Sequence, residues 1–461
     1  MTKTQSLDDE FNQANAQVPF GFYDSIKTFF TPYSAQYYEE NHLSHLPFYK
    51  PNEVVDNRLV QIINTPIDNE GNYIHEVSIK NTIENGSQQR HIILVHGFGA
   101  SLGFFYKNLY ELSSKPNVTL HAIDLLGFGL SSRPQFPNLD HNKIDQILKC
   151  EEFFIDSFEI WRQKKKIETC SIVAHSLGGY LMSCWYLKYG KQLKIVDKLC
   201  LVSPVGVESS ESCLLSQYNK NLHLENCNED GFIHKVSHEL KTAQAHQKDV
   251  TSEFTSSFIH DEQFKKNEQE HFVGEDNVES HLMIQHFHRI HLSPFFSYLW
   301  DLHYNPLSFI HPKLFPFNLF SILWPFKPLT GKLIAKWTYN RFENENNDVV
   351  LKNLCLYICH SMWREASGED SLGRILAPGS LGRLSLSQRI VGQFNSDVGT
   401  EIMLIYGEHD WMDKSEGKKL VNAINKSAKS KMAHFRVVEK SGHHLYFDNP
   451  EDFHKIVLDF L

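Results

Sequence analysis

Cys170-Ser171-Ile172-Val173-Ala174-His175-Ser176-Leu177-Gly178-Gly179-Tyr180 is the stretch on which the reading of this 461-residue chain turns. Residues 171–174 have the short apolar pattern of a buried strand, and 178–189 carry a helical one. Ser176 therefore stands on a sharp turn from strand to helix. Such a turn crowds its neighbours, which must be small, and Ala174, Gly178 and Gly179 are. A serine held there points to a nucleophile.

Working outward, apolar runs at 92–95, 118–123, 199–202, 402–405 and 435–438 repeat the strand pattern, and 59–67 and 73–79 read as antiparallel edge strands before them. Helical stretches fall at 145–165, 178–189, 415–427 and 450–461. This alternation predicts an α/β fold, a mostly parallel sheet with helices on both faces. The rhythm stops at 205 and resumes at 400. A connection that long is expected to be a lid or subdomain. The expected organisation is an N-terminal extension at 1–57, a first core part at 58–205, a mainly helical cap at 206–395 between the sixth and seventh core strands, and a second core part at 396–461.

The cap has an unusual middle, aromatic and basic over 292–342. Eleven aromatics fall in the 32 residues from 295 to 326, cut by prolines into pieces too short to cross a bilayer. From 302 to 342 there is no acidic residue, while Lys313, Lys327, Lys332, Lys336 and Arg341 are basic in a chain of net charge -10. Two readings stay open. One is a cap packed on its own core. In the other, Phe315, Phe320 and Trp324 dip into the headgroup boundary while Lys327 and Lys332 meet anionic lipid, each worth about 1 kcal/mol near a charged leaflet.

With 45 basic against 55 acidic residues the chain lacks the overall field of a nucleic-acid binder. The eight cysteines are scattered, which excludes a disulfide scaffold and favours a reducing compartment. Cys355, Cys359 and His360 form an incomplete ligand set on a helical stretch, so no metal is expected. The sequence shows no window of 18 or more uninterrupted apolar residues, and its first 57 residues carry no legible targeting signal.

A serine hydroxyl needs a base within hydrogen-bond reach and a carboxylate to orient that base. In the expected chain order of serine, acid, histidine, Asp410 follows the 402–405 strand, with Glu408 and Asp413 as weaker candidates. His443, favoured over His444, lies in the loop before the last helix. Gly97 and Gly99, after the first parallel strand, let the amide of Phe98 turn toward the serine; with the amide of Leu177 it would form an oxyanion hole. His96 is expected to hold that loop, and no cofactor is called for.

The elbow at 174–180, the loop at 124–134 with Asp124, Gly127, Gly129 and Arg133-Pro134, and the ending Gly442-His443-His444 with Asp448 and Pro450 resemble a lipid-acting branch of the α/β hydrolases. That branch holds the N-acyl-phosphatidylethanolamine lysophospholipase, the lipid-droplet lipase coactivator and the fungal mitochondrial cardiolipin deacylases. The stretches 375–383 and 406–413 pull toward the fungal members. The resemblance covers roughly 88–205 and 370–461. It implies an α/β-hydrolase fold and the nucleophile, acid and base on Ser176, Asp410 and His443. It implies a phospholipid acyl hydrolase, cardiolipin the leading substrate, at an anionic membrane surface such as the mitochondrial inner membrane, with lipid droplet or cytoplasm also open. Acyl transfer to a lysophospholipid is the enzymatic alternative, since His443 and Asp448 match the branch's His-x4-Asp spacing; a non-catalytic lipase coactivator is the other.

Overall fold

The computed structural model describes residues 20–216, 328–395 and 397–461. The strands are β1 (Val54–Val55), β2 (Arg58–Pro66), β3 (Tyr73–Asn81), β4 (Arg90–Val95), β5 (Val118–Ile123), β6 (Cys170–His175), β7 (Val196–Val202), β8 (Leu376–Ala377), β9 (Leu381–Gly382), β10 (Glu401–Gly407) and β11 (Ala433–Val438). Nine of them form one sheet in the order β1-β2-β3-β5-β4-β6-β7-β10-β11, and β8 and β9 pair separately. From β5 through β11 every pairing in that sheet is parallel, whereas β1, β2, β3 and β5 are joined antiparallel.

Side chains alternate across a strand, so the two sides of β4 feed separate cores. Ile93 and Val95 enter one buried cluster with Phe154, Phe158 and Trp161. These aromatics come from α4 (Ile144–Lys164), and the same cluster takes Leu181 and Trp185 from α5 (Leu177–Trp185) and Leu420 and Ile424 from α8 (Lys414–Ala428). Ile92 and Leu94 enter a second cluster, on the opposite face, with Leu109 of α3 (Tyr106–Leu112) and Phe453 and Val457 of α9 (Pro450–Phe460). With both faces covered, a strand such as β5 is buried along its whole length.

The connection from β7 to β10 contributes α6 (Thr330–Arg341) and α7 (Asp348–Met362). Both are packed on the core: Leu354, Cys355, Ile358 and Cys359 of α7 are buried in the second cluster, so the two thiols beside His360 serve packing. Gly103 is glycine because a Cβ there would collide with the Tyr357 ring. Of the expected membrane-facing residues, Lys332 lies on α6, exposed, with its ammonium 4.2 Å from the centroid of the Phe22 ring. Phe315, Phe320, Trp324 and Lys327 lie outside the described residues.

Ahead of the sheet, α1 (Phe22–Phe29) and α2 (Ala35–Leu43) are integral to the second face. Glu39 of α2 is fully buried, its Oε2 2.7 Å from His75 Nε2, and the Tyr357 hydroxyl donates to its Oε1 at 3.1 Å. Burial works to lower the His75 pKa, but the Glu39 carboxylate holds it above the ordinary value. Among the described residues no helix is long and apolar enough to cross a membrane.

Candidate active site

Ser176 ends β6 and opens α5 at φ 53° and ψ -118°, a left-handed conformation for a residue with a Cβ. Its neighbours leave no alternative volume. A Cβ at Gly178 would collide with the His96 carbonyl oxygen, and one at Gly97 would stand 2.9 Å from Ser176 Cβ. The loop of Gly97 and Phe98 thus passes directly against the serine on one side, while Leu177 begins α5 on the other. His96 fastens the loop: its Nδ1–H donates to the Gly97 carbonyl at 2.7 Å, and its Nε2 accepts the Leu125 amide at 3.1 Å. Burial lowers the His96 pKa to about 4, so it stays neutral in that role.

The structure brings three of the sequence-selected side chains together. The Ser176 hydroxyl lies 3.1 Å from His443 Nε2, and His443 Nδ1 lies 3.0 Å from Asp410 Oδ1. Nδ1–H donates to the carboxylate, which leaves Nε2 as the acceptor for the serine proton. Asp410 also accepts the Met412 amide at 3.1 Å and the Ser203 hydroxyl. Burial pulls its carboxyl upward, but these bonds, led by the one from His443, hold it below the usual carboxylate range.

The weaker acid candidates are occupied elsewhere. Asp413 caps α8 by accepting the Ser415 amide at 2.7 Å, and Glu408 accepts the Lys440 amide at 2.8 Å. His444 is engaged elsewhere, accepting a hydrogen bond from Arg341 Nε at Nδ1, 2.7 Å. Asp448 does not reach His443: its Oδ1 lies 3.0 Å from Arg341 Nη1, and its Oδ2 accepts the Gly442 amide at 2.8 Å.

Sequence reasoning missed Ser203, Arg341 and His175 as parts of the site. His175 Nε2–H donates to the His443 carbonyl at 3.0 Å, so it holds the loop carrying the imidazole. Its position beside Ser176 was the available signal. Ser203 follows β7 at φ 46°, a turn that the Ser-Pro pair at 203–204 hints at.

Residues 90–225 match the sequence family described as alpha/beta hydrolase fold. They span β4 to β7, the parallel strands that carry the elbow. The chain carries an α/β-hydrolase domain. The chain is 26% identical over 371 residues to a rice protein named as a probable 1-acylglycerol-3-phosphate O-acyltransferase, covering 79% of this chain and 66% of that one. It is 23% identical over 400 residues to a Saccharomyces cerevisiae 1-acylglycerol-3-phosphate O-acyltransferase, covering 80% of this chain and 81% of the relative. A mouse (lyso)-N-acylphosphatidylethanolamine lipase is 40% identical over 115 residues, a quarter of this chain and 30% of its own length.

Proposed function

We propose that this hydrolase is a serine acyl hydrolase of a membrane glycerophospholipid, cardiolipin being the leading candidate, an assignment drawn from resemblance to the fungal members. The observation that carries the catalytic part is the unbroken hydrogen-bond chain Ser176–His443–Asp410. In this mechanism Ser176 Oγ attacks an ester carbonyl carbon as its proton passes to His443 Nε2. Asp410 orients the ring and stabilises the imidazolium. The amides of Phe98 and Leu177 receive the developing oxyanion, where one such donor is worth about 3 kcal/mol. His443 returns the proton to the departing alcohol, and a water activated by the same imidazole releases the fatty acid from the acyl-serine.

The membrane surface is argued from the face that α1 and α6 share. Phe22, Tyr23, Ile26, Phe30, Leu333 and Trp337 are exposed there, with Lys27, Lys332 and Lys336 beside them. Exposed rings interleaved with ammonium groups suit the headgroup zone of an anionic leaflet. The mitochondrial inner membrane is the proposed location on the same kinship as cardiolipin.

A second reading is transfer of the acyl group to a lysophospholipid, favoured by the names of the rice and yeast relatives. It uses the same acyl-serine, with a lipid alcohol in place of water. Vesicles of acyl-labelled cardiolipin supplied with lysophosphatidic acid separate the outcomes: label in free fatty acid supports hydrolysis, label in phosphatidic acid supports transfer. Ser176→Ala is expected to abolish both while the protein melts near the parent temperature. Turnover that survives in this variant refutes the serine mechanism. A protein that turns over nothing and is not labelled by a fluorophosphonate fits a coactivator instead.

A further inference from the structure

The loop that carries His443 is fastened by a residue from the long β7–β10 connection, and the His-x4-Asp spacing finds its physical meaning there. Arg341 occupies the last turn of α6. Its Nε–H donates to His444 Nδ1 at 2.7 Å, and its Nη1 and Nη2 lie 3.0 and 3.3 Å from the two Asp448 oxygens. Asp448 Oδ2 in turn accepts the Gly442 amide at 2.8 Å. The guanidinium therefore grips both flanks of His443, its sequence neighbour His444 directly and Gly442 through Asp448. A planar fork with fixed donors suits this double hold, and an ammonium on a flexible stem does not.

The grip is itself anchored. Just past α6, Glu345 accepts from the Tyr106 hydroxyl and lies 3.2 Å from Lys107 Nζ, both on α3. Phe342, next to Arg341, packs its ring 4.6 Å from that of Phe447. His444 is kept neutral, burial being the main cause and Arg341 the next, as an acceptor at Nδ1 requires.

We infer that Arg341 is a positioning residue for the base, acting through Asp448 and His444, and that Asp448 serves this clamp and is not a second acid. The inference rests on the serine mechanism proposed above. Because acyl transfer to a lysolipid and to water share one imidazole, loosening the clamp lowers both in the same proportion.

The test uses the full chain and 4-nitrophenyl butyrate, a soluble ester whose turnover does not depend on membrane docking. Arg341→Ala is expected to lower kcat about 10- to 100-fold with KM within about two-fold, since a small misplacement of a catalytic group has effects of that size. Millimolar guanidinium ion is expected to restore part of the loss, and Arg341→Lys to fall between. The downfield proton of the His443–Asp410 hydrogen bond, read by NMR, is expected to broaden by exchange with solvent in Arg341→Ala and to stay sharp in the parent. If Arg341→Ala does not fold, Arg341→Lys and Asp448→Asn are read in its place. Parent-like kcat together with a parent-like proton signal in the folded variants overturns the inference. An inactive parent overturns the serine mechanism instead, and the proton signal then still decides whether Arg341 holds the loop.

Discussion

Ser176 holds a backbone conformation that costs a residue with a Cβ on the order of 1–3 kcal/mol. The strain persists because β6 on one side and α5 on the other over-determine the turn; the Ser176 amide donates to the Val202 carbonyl at 2.8 Å and its carbonyl accepts from Tyr180 at 3.2 Å. At this scale the three side chains that meet at 176, 410 and 443 were readable in the sequence, since each follows a strand marked by its own apolar run. Ser203 and Arg341 were not, because their partners are remote in the chain and the partnership is set by packing. Asp410→Asn puts an amide where three donors converge, and its N–H group turns toward one of them. Turnover is expected to fall by about 10^3- to 10^4-fold, as when the orienting carboxylate of a serine-protease triad is changed. Steady-state kcat on the soluble ester checks this, and a loss under ten-fold sinks the assigned role of Asp410.

Helix α5 meets β4 through glycine, and this close approach sets the height of the serine above the sheet. Gly178→Ala pushes a methyl into the His96 carbonyl oxygen, which is backbone and has no room to yield. Overpacking of this kind costs about 1–3 kcal/mol, so a lower melting temperature is expected together with a fall in turnover, both measured on one preparation; an unchanged pair of values contradicts the close approach. The parallel strands were legible because they are short apolar runs between turn residues. The strand ends extend past those runs, as where β4 begins at Arg90, since backbone pairing continues into polar residues. Helix α2 and the short β8–β9 hairpin escaped because neither has a clear apolar period. Helix α2 is the plainest case: its buried residues include Glu39 and His42, polar side chains that a hydrophobic pattern cannot anticipate.

Among the described residues, histidines that are wholly or partly buried dominate the response to acid. Burial holds His42, His91, His96, His360 and His454 at about 4, and His175 and His444 well below the ordinary value. In the unfolded chain such groups take up protons from about pH 6.5 downward while the folded protein does not, so each favours unfolding as pH falls through that window. One group contributes up to about 1.4 kcal/mol per pH unit crossed. Buried carboxyls pull the other way, Glu208 raised to about 7 and Asp124 and Asp370 to about 6, because the folded state binds their protons first. The histidines outnumber them. The melting temperature is expected to drop steadily between pH 6.5 and 4, and a flat profile there means that the rings are hydrated in solution.

The N-terminal stretch read from sequence as an extension is packed on the sheet through Glu39, whose carboxylate faces the His75 imidazole, both side chains being buried. A shortened version of the protein starting at residue 58 would take Glu39 from His75 and remove Phe20, Tyr38, Leu43, Phe48 and Tyr49 from the second core cluster, so a lower melting temperature is expected. Anyone trimming the gene for crystallisation or a minimal catalyst is therefore obliged to keep the second helix, although it lies far from the chemistry.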